Sequence, residues 1–221
     1  MHTDVACSAA SRTRTVMTTI SKTNPLCLGS ASPRRRELLA GLGLPLRVQS
    51  ADVEEATIEG ERPLEYLERV VDDKLAAVRV LLGALDDAAA ILVADTIVVV
   101  DDDILGKPVD KEDAARLLRR ISGREHIVYT RYAILALPDA GTGLKKRTVA
   151  SRVTIRRAKE AEIRRYAATG EGLDKAGAYA AQGIGSFLIE RIDGSYSNVV
   201  GLPLCEVVLD LQALELIPDF P

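Results

Sequence analysis

The stretch ILVADTIVVV, Ile91 to Val100, limits what this chain can fold into more than any other. Rich in β-branched residues and almost wholly apolar, it reads as a strand buried over most of its length. The aspartates at 101–103 turn the chain back into ILGKP, so the strand opens a β-hairpin. Strand and helix signals alternate on both sides of it, which puts the chain in the α/β class.

Pro25 to Gly29 bracket a short apolar strand that feeds PRRRELL. There Ser32 suits a helix N-cap and Pro33 the first helical position, while Leu38, Leu39 and Leu42 supply an apolar stripe. A second strand is expected near Leu46–Ala51. Pro63 opens a long helix to about Leu82, with Leu67, Val71, Leu75, Val78 and Leu82 at helical spacing. DKEDAARLLRRI is an amphipathic helix stopped at Ser122-Gly123, and HIVYTRYAILAL is the next strand. Residues 147–157 alternate, with Val149, Val153 and Ile155 on one face, as in a half-exposed antiparallel strand. A helix over KEAEIRRYAATG ends at Gly170, and a glycine-spaced segment runs from Gly177 to Gly185. A strand follows at Phe187–Ile192, then a loop, then a C-terminal helix started by Pro203. No internal repeat or long linker divides the chain.

With 221 residues the chain can form one large α/β domain or two small lobes sharing a core. A net charge of −3 gives no reason to expect nucleic acid or a membrane surface as partner. The lack of Trp and the 4% aromatic content argue against a base-stacking platform. Cys7, Cys27 and Cys205 lie far apart and form no CxxC pair. They point to neither a disulfide framework nor a structural zinc site, and they fit a reducing compartment, the cytoplasm. His2 and His126 are the only histidines, too few for an imidazole-rich metal centre. No apolar run approaches the roughly 20 residues that span a bilayer. Residues 1–25 are rich in Ser and Thr and read as a disordered extension. An organelle transit peptide and a start at Met17 are the alternatives.

Charged groups break the apolar pattern in three places. Asp95 interrupts the Ile91–Val100 strand, where a carboxylate is costly unless paired, hydrogen-bonded or metal-bound. Lys74 lies on the apolar stripe of its helix, and Lys107 follows the hairpin between Gly106 and Pro108. Each has a plainer reading: an edge-strand acid in water, a snorkelling lysine, a turn residue. Arg34, Arg35 and Arg36 add a fourth anomaly. Cations are disfavoured at a helix start, which carries partial positive charge, so a negative group is expected among them.

Cations facing a carboxylate are the parts of a phosphate and divalent-metal site. In such a site the cations take up charge on a polyphosphate, and carboxylates hold Mg²⁺ or Mn²⁺ and activate water. Glu54 and Glu55 are candidate further ligands, or simply an acidic loop in water. Neither a Walker-type GxxxxGK[ST] nor a strand-to-helix GxGxxG occurs, and no GxSxG supplies a nucleophile. DKAGAYAAQGIG, residues 174–185, suits a loop of close approach, and the Gln182 amide in it can read donors and acceptors on a base edge.

LGSASPRRRELL, ADTIVVVDDDILGKP, SGREHIVYT, TGEGLDKAGAYAAQGIG and IDGSYSNVVGLPL, in that order, resemble the signature segments of the Maf-like family of nucleoside triphosphate pyrophosphatases. The likeness covers roughly Leu26 to Leu209. It implies an elongated mixed α/β sheet flanked by helices, in two lobes with a central cleft, as one domain over 26–221 and often as a homodimer. It also implies hydrolysis of a nucleoside triphosphate to the monophosphate and pyrophosphate with a divalent cation, removing unwanted nucleotides. By motif, Asp95 resembles the catalytic acceptor that activates water. Ser30, Arg35, Lys74 and Lys107 resemble phosphate-contacting groups, and Glu55 resembles an acidic, metal-associated position beside Asp95. Arg34, Thr96 and Gln182 match positions that separate a dTTP/UTP branch from a 7-methyl-GTP branch, and they resemble the former. The rival readings are a modified-purine nucleotide pyrophosphatase and a nucleotide-binding regulator without activity.

Overall fold

The computed structural model describes residues 18–83, 87–137 and 143–221. Its strands are β1 (Leu26–Leu28), β2 (Leu46–Val48), β3 (Ala90–Val100), β4 (Asp103–Leu105), β5 (Glu125–Ala136), β6 (Leu144–Ile155) and β7 (Ile189–Asp193). They form one mixed sheet in the order β2-β1-β3-β5-β6-β7, with β4 paired to β3. The helices are α1 (Pro33–Ala40), α2 (Pro63–Leu82), α3 (Lys111–Ile121), α4 (Glu160–Thr169), α5 (Tyr196–Val200) and α6 (Leu204–Ala213).

β1 runs parallel to both β2 and β3, and the remaining pairs are antiparallel. Parallel neighbours need crossovers, which α1 and α2 supply. The β3–β4 hairpin turns on Asp101 and Asp102, with φ of 52° and 62°, and Val100 pairs with Asp103. Two consecutive left-handed residues give the tight turn whose twist suits a hairpin.

Side chains of a strand point alternately to opposite faces, and β3 uses this over its whole length. In its first half, Leu92 and Ala94 join Leu26, Leu28, Leu39, Tyr132, Val207 and Leu211 on one face. Ile91 and Val93 meet Val71, Leu75 and Val78 of α2 on the other. In its second half, Val98 and Val100 pack on Leu117, Leu118, Ile121, Val153 and Tyr166, and Ile97 and Val99 pack on Tyr66, Leu67 and Val70 of α2. The lobes are thus two sets of cores threaded by one strand. Between them β3 is only half-buried, at Asp95 and Thr96.

Three local differences from the sequence reading have simple causes. The stretch after β7 winds into α5 because Ser195 caps it, its Oγ accepting from the Asn198 N–H at 3.2 Å. The glycine-spaced segment forms 3₁₀ turns at Ala176–Ala178 and Gly183–Leu188, so β7 starts at Ile189 rather than Phe187. Within the N-terminal segment expected to be disordered, Ile20 donates its N–H to Leu216 O at 2.8 Å and packs on the core. Residues 1–17 lie outside the described residues.

Candidate active site

The interruption in β3 opens onto a cleft of about 380 Å³ between the lobes. Alternation puts Asp95 on the α2 face, where the apolar stripe of α2 places Lys74 between Val71 and Val78. Lys74 Nζ sits 2.7 Å from Asp95 Oδ1 and 2.6 Å from Glu55 Oε1. The Lys74 and Asp95 side chains are 11% and 14% exposed, so the charges are mostly withdrawn from water and their attraction is strengthened. Glu55 comes from the acidic loop before α2. Burial would raise its carboxyl, but the hydrogen bond and charge of Lys74, with Lys107 and Arg35, hold it below the usual range. Lys107, 64% exposed, brings Nζ to 4.0 Å from Glu55 Oε2, a loose ion pair that places its ammonium on the cleft lining.

Thr96 points to the opposite face and meets Arg35 of α1. The Arg35 guanidinium donates from Nε to Gly201 O (2.8 Å), from Nη1 to Ser30 Oγ (3.0 Å) and Ala94 O (2.8 Å), and from Nη2 to Thr96 Oγ1 (2.9 Å). A guanidinium has five N–H groups, so one remains for the cleft. Thr96 Oγ1 also lies 2.9 Å from Thr130 Oγ1 and donates to Gly201 O at 3.3 Å. Burial pulls the Arg35 guanidinium below its ordinary range, with the Asp95 charge opposing.

Arg34 turns toward the second lobe. Its Nη1 is 2.7 Å from Asp174 Oδ2, which joins the start of α1 to the segment after α4. Arg36 is exposed and does not line the cleft. The three arginines therefore do not share one anion: Arg34 meets a carboxylate, Arg35 meets neutral oxygens, and Arg36 meets water. Glu54 likewise turns away from the cleft; its Oε1 accepts from the Ala56 N–H.

Ser30, Arg34, Arg35, Glu55, Lys74, Asp95, Thr96, Lys107 and Gln182 all line this cleft. One strand, two helices and four loops converge to place them, although they span more than 150 residues of sequence. Among the described residues no group of three or more His, Cys, Asp or Glu side chains is arranged to hold a metal ion by itself. No described helix is long and apolar enough to cross a membrane.

The sequence matches the family profile described as Maf-like protein over residues 25–214. This chain belongs to the Maf-like family. The match runs from just before β1 to just after α6. A dTTP/UTP pyrophosphatase of Hahella chejuensis (strain KCTC 2396) is 48% identical to the Maf-like chain over 187 residues, 85% of this chain and 90% of that protein. A dTTP/UTP pyrophosphatase of Geobacter sulfurreducens (strain ATCC 51573 / DSM 12127 / PCA) is 46% identical over 189 residues, 86% and 96% of the two chains. The solved structure of the Staphylococcus aureus Ham1 protein overlaps 74% of this chain and 79% of its own, at a TM-score of 0.43 and 13% identity, a likeness too slight to bear on the site.

Sequence reasoning passed over several parts of the Maf-like cleft. Asp174 and Lys175 line it and are joined by an ion pair at 2.5 Å. Gly201 supplies the carbonyl that orients Arg35, and the buried Asn198 holds the preceding turn by donating to Val128 O and Ser151 Oγ. SYSN reads as turn-and-cap chemistry because its polar residues suit any loop. Only the fold shows that these caps position an arginine.

Proposed function

We propose that this Maf-like chain is a nucleoside triphosphate pyrophosphatase that hydrolyses dTTP and UTP to the nucleoside monophosphate and pyrophosphate, removing unwanted nucleotides. The observation that carries the reading is the Glu55–Lys74–Asp95 cluster at the break in β3, with Lys107 exposed beside it at the edge of ion-pair distance from Glu55. The two relatives described as dTTP/UTP pyrophosphatases are matched over 90% and 96% of their length, which supports the substrate class.

In this reading the triphosphate lies along the cleft with its phosphates toward Lys74, Lys107 and the remaining Arg35 N–H. The base lies toward Val98, Val128, Ala180 and the Gln182 amide. Asp95 accepts a proton from water as the water oxygen bonds to the α-phosphorus. The bond from that phosphorus to the bridging oxygen breaks, and the pyrophosphate leaves with its charge taken up by the lysines. Asp95 and Glu55 offer hard carboxylate oxygens, and Mg²⁺ is commonly held by one or two carboxylates plus substrate phosphates, so these residues fit such an ion. When bound, Mg²⁺ or Mn²⁺ supplies Lewis-acid polarisation of the phosphates.

The test is hydrolysis of dTTP, UTP, CTP and 7-methyl-GTP with Mg²⁺, with products identified by mass. Wild type is expected to release monophosphate and pyrophosphate, with dTTP and UTP preferred. Asp95→Asn should lower turnover by about 10²–10⁴ in protein that the melting curve shows to be folded at the assay temperature, even though Lys74 loses a charged partner. Equal turnover by the variant, or release of orthophosphate, would refute the scheme.

A further inference from the structure

Gln182 makes no side-chain hydrogen bond among the described residues, so its aim into the cleft depends on its backbone alone. That backbone is held by one carboxylate. Glu171 Oε1 accepts from the Ile184 N–H at 2.9 Å. Oε2 accepts from the Gly185 N–H at 2.7 Å and from the Tyr166 hydroxyl at 2.9 Å. The same hydroxyl accepts from the Ala180 N–H at 3.0 Å. Gln182 is therefore pinned two residues before and two residues after, and both pins meet at Glu171.

The glycines flanking Gln182 exist for this contact. At Gly183, with φ +71°, a Cβ would stand 2.3 Å from Glu171 Oε1. At Gly185 it would stand 2.4 Å from the Tyr166 hydroxyl. The close approach expected from the glycine spacing is met at these two positions by Glu171, Tyr166 and the Ala180 backbone. Burial would raise the Glu171 carboxyl, but the two N–H donors and Tyr166 hold it below the usual carboxylate range, so it is ionised at neutral pH. The Glu171 carbonyl further accepts from Lys175 Nζ at 2.5 Å; Lys175 also meets Asp174, the partner of Arg34. Two of the three positions associated with base choice, Arg34 and Gln182, are therefore joined through residues 171–175.

We propose that Glu171 is a positioning residue for substrate selection: it fixes the Ala180–Gly185 turn so that the Gln182 amide meets the pyrimidine edge. The proposal rests on the reading of Gln182 as a base-reading group. Without the carboxylate, the exposed Ile184 N–H and the part-buried Gly185 N–H lose the acceptor that ties them together, and the turn finds other conformations in which Gln182 no longer faces the base. Only a fraction of molecules is then competent to recognise the pyrimidine. The loss falls on KM and on selectivity more than on kcat, since Asp95 and the lysines are untouched.

The experiment measures kcat and KM for dTTP, UTP and 7-methyl-GTP, with thermal melts, in wild type, Glu171→Ala, Glu171→Gln, Gln182→Ala and the Glu171→Ala/Gln182→Ala double variant. Glu171→Gln retains a carbonyl acceptor, so it also covers the case in which the alanine variant fails to fold. Gln182→Ala and Glu171→Ala should each lower the ratio of kcat/KM for dTTP over 7-methyl-GTP by about tenfold, as expected for loss of a polar contact to the base. The double variant should be no less selective than either single one, because both act on one contact. Glu171→Gln should fall between. A lowered ratio in Gln182→Ala with a wild-type ratio in both Glu171 variants overturns the positioning role alone. A wild-type ratio in Gln182→Ala overturns the base-reading role of Gln182, and the positioning proposal with it.

Discussion

Arg34 and Arg35 are adjacent in sequence yet meet opposite surroundings, because successive residues of a helix point about 100° apart. Arg34 crosses to Asp174, whose carboxyl is held down to about 2: burial would raise it, but hydrogen bonds from Lys175 and Arg34 outweigh that. Arg35 is 8% exposed and spends its donors on two carbonyls and two hydroxyls. Its planar fork joins α1, β3 and the Gly201 turn at one point. Lysine keeps the charge but has a single nitrogen on a flexible stem, which cannot reach Gly201 O, Ala94 O and Thr96 Oγ1 together. Arg35→Lys should therefore lose about 2–4 kcal/mol from the unpaired buried carbonyls and the poorly solvated ammonium. For a chain of this size that corresponds to a fall in Tm of about 5–15 °C. Differential scanning calorimetry checks it; a Tm within experimental error of wild type would show that the fork does not hold the cleft wall. The sequence exposed the run of arginines as an anomaly, and helical geometry already implied that they diverge. Which neighbour each would find depended on loops more than a hundred residues away.

Among the elements, what was legible follows from period. The apolar alternation of β3 and the 3.6-residue stripe of α2 made Asp95 and Lys74 stand out as misplaced, and two misfits on facing stripes of packed elements meet when those elements pack. Helix α5 has no such stripe: five residues make little more than one turn, and their polar composition serves a loop equally well. Glu171 gave no signal either, since an acid after a helix-ending glycine is ordinary until the donors it accepts from are seen. The β3–β4 turn was legible from its aspartates, and it yields a separate prediction. Asp102 is exposed and left-handed at φ 62°, a conformation that glycine adopts without steric penalty. Asp102→Gly should raise stability by about 0.5–1 kcal/mol, the scale of relief at such positions. Urea melts at neutral pH would read this as a higher midpoint at unchanged slope. A lower midpoint would mean that the greater chain freedom of glycine in the unfolded state outweighs the relief. Asp101 is left alone in this test because its carboxylate holds Arg124 at 2.6 Å.

For the molecule as a whole, the two lobes share β3 and β5, and the cleft wall is continuous with the second-lobe core. His126 on β5 marks that continuity. It is 2% exposed, its Nε2 is 2.8 Å from the hydroxyl of Tyr179, a cleft-lining residue, and its Nδ1 has no partner among the described residues. Burial without a counter-charge pushes its pKa down to about 4 from the ordinary 6.5. An unfolded chain therefore binds a proton at His126 below about pH 6.5 that the folded chain does not bind until about pH 4. The unfolded state holds more protons in this window, so stability rises with pH across it and is lost as pH falls from 6.5 toward 4. Below about pH 4 both states are protonated and this contribution is flat. A difference of about 2.5 pKa units corresponds to at most about 3.4 kcal/mol, of which most is gone by pH 4.5. Carboxylates titrate in the lower part of the same range, so the comparison is between wild type and His126→Gln, which keeps a polar partner for Tyr179 and cannot titrate. Chemical denaturation at intervals from pH 7.5 to 4.5 should show the variant less stable than wild type at pH 7.5 but losing about 2–3 kcal/mol less on acidification, so that the two curves converge or cross. Parallel curves would mean that His126 takes up its proton over the same pH range folded and unfolded, and that the second-lobe core beneath the cleft is wetter than its packing shows.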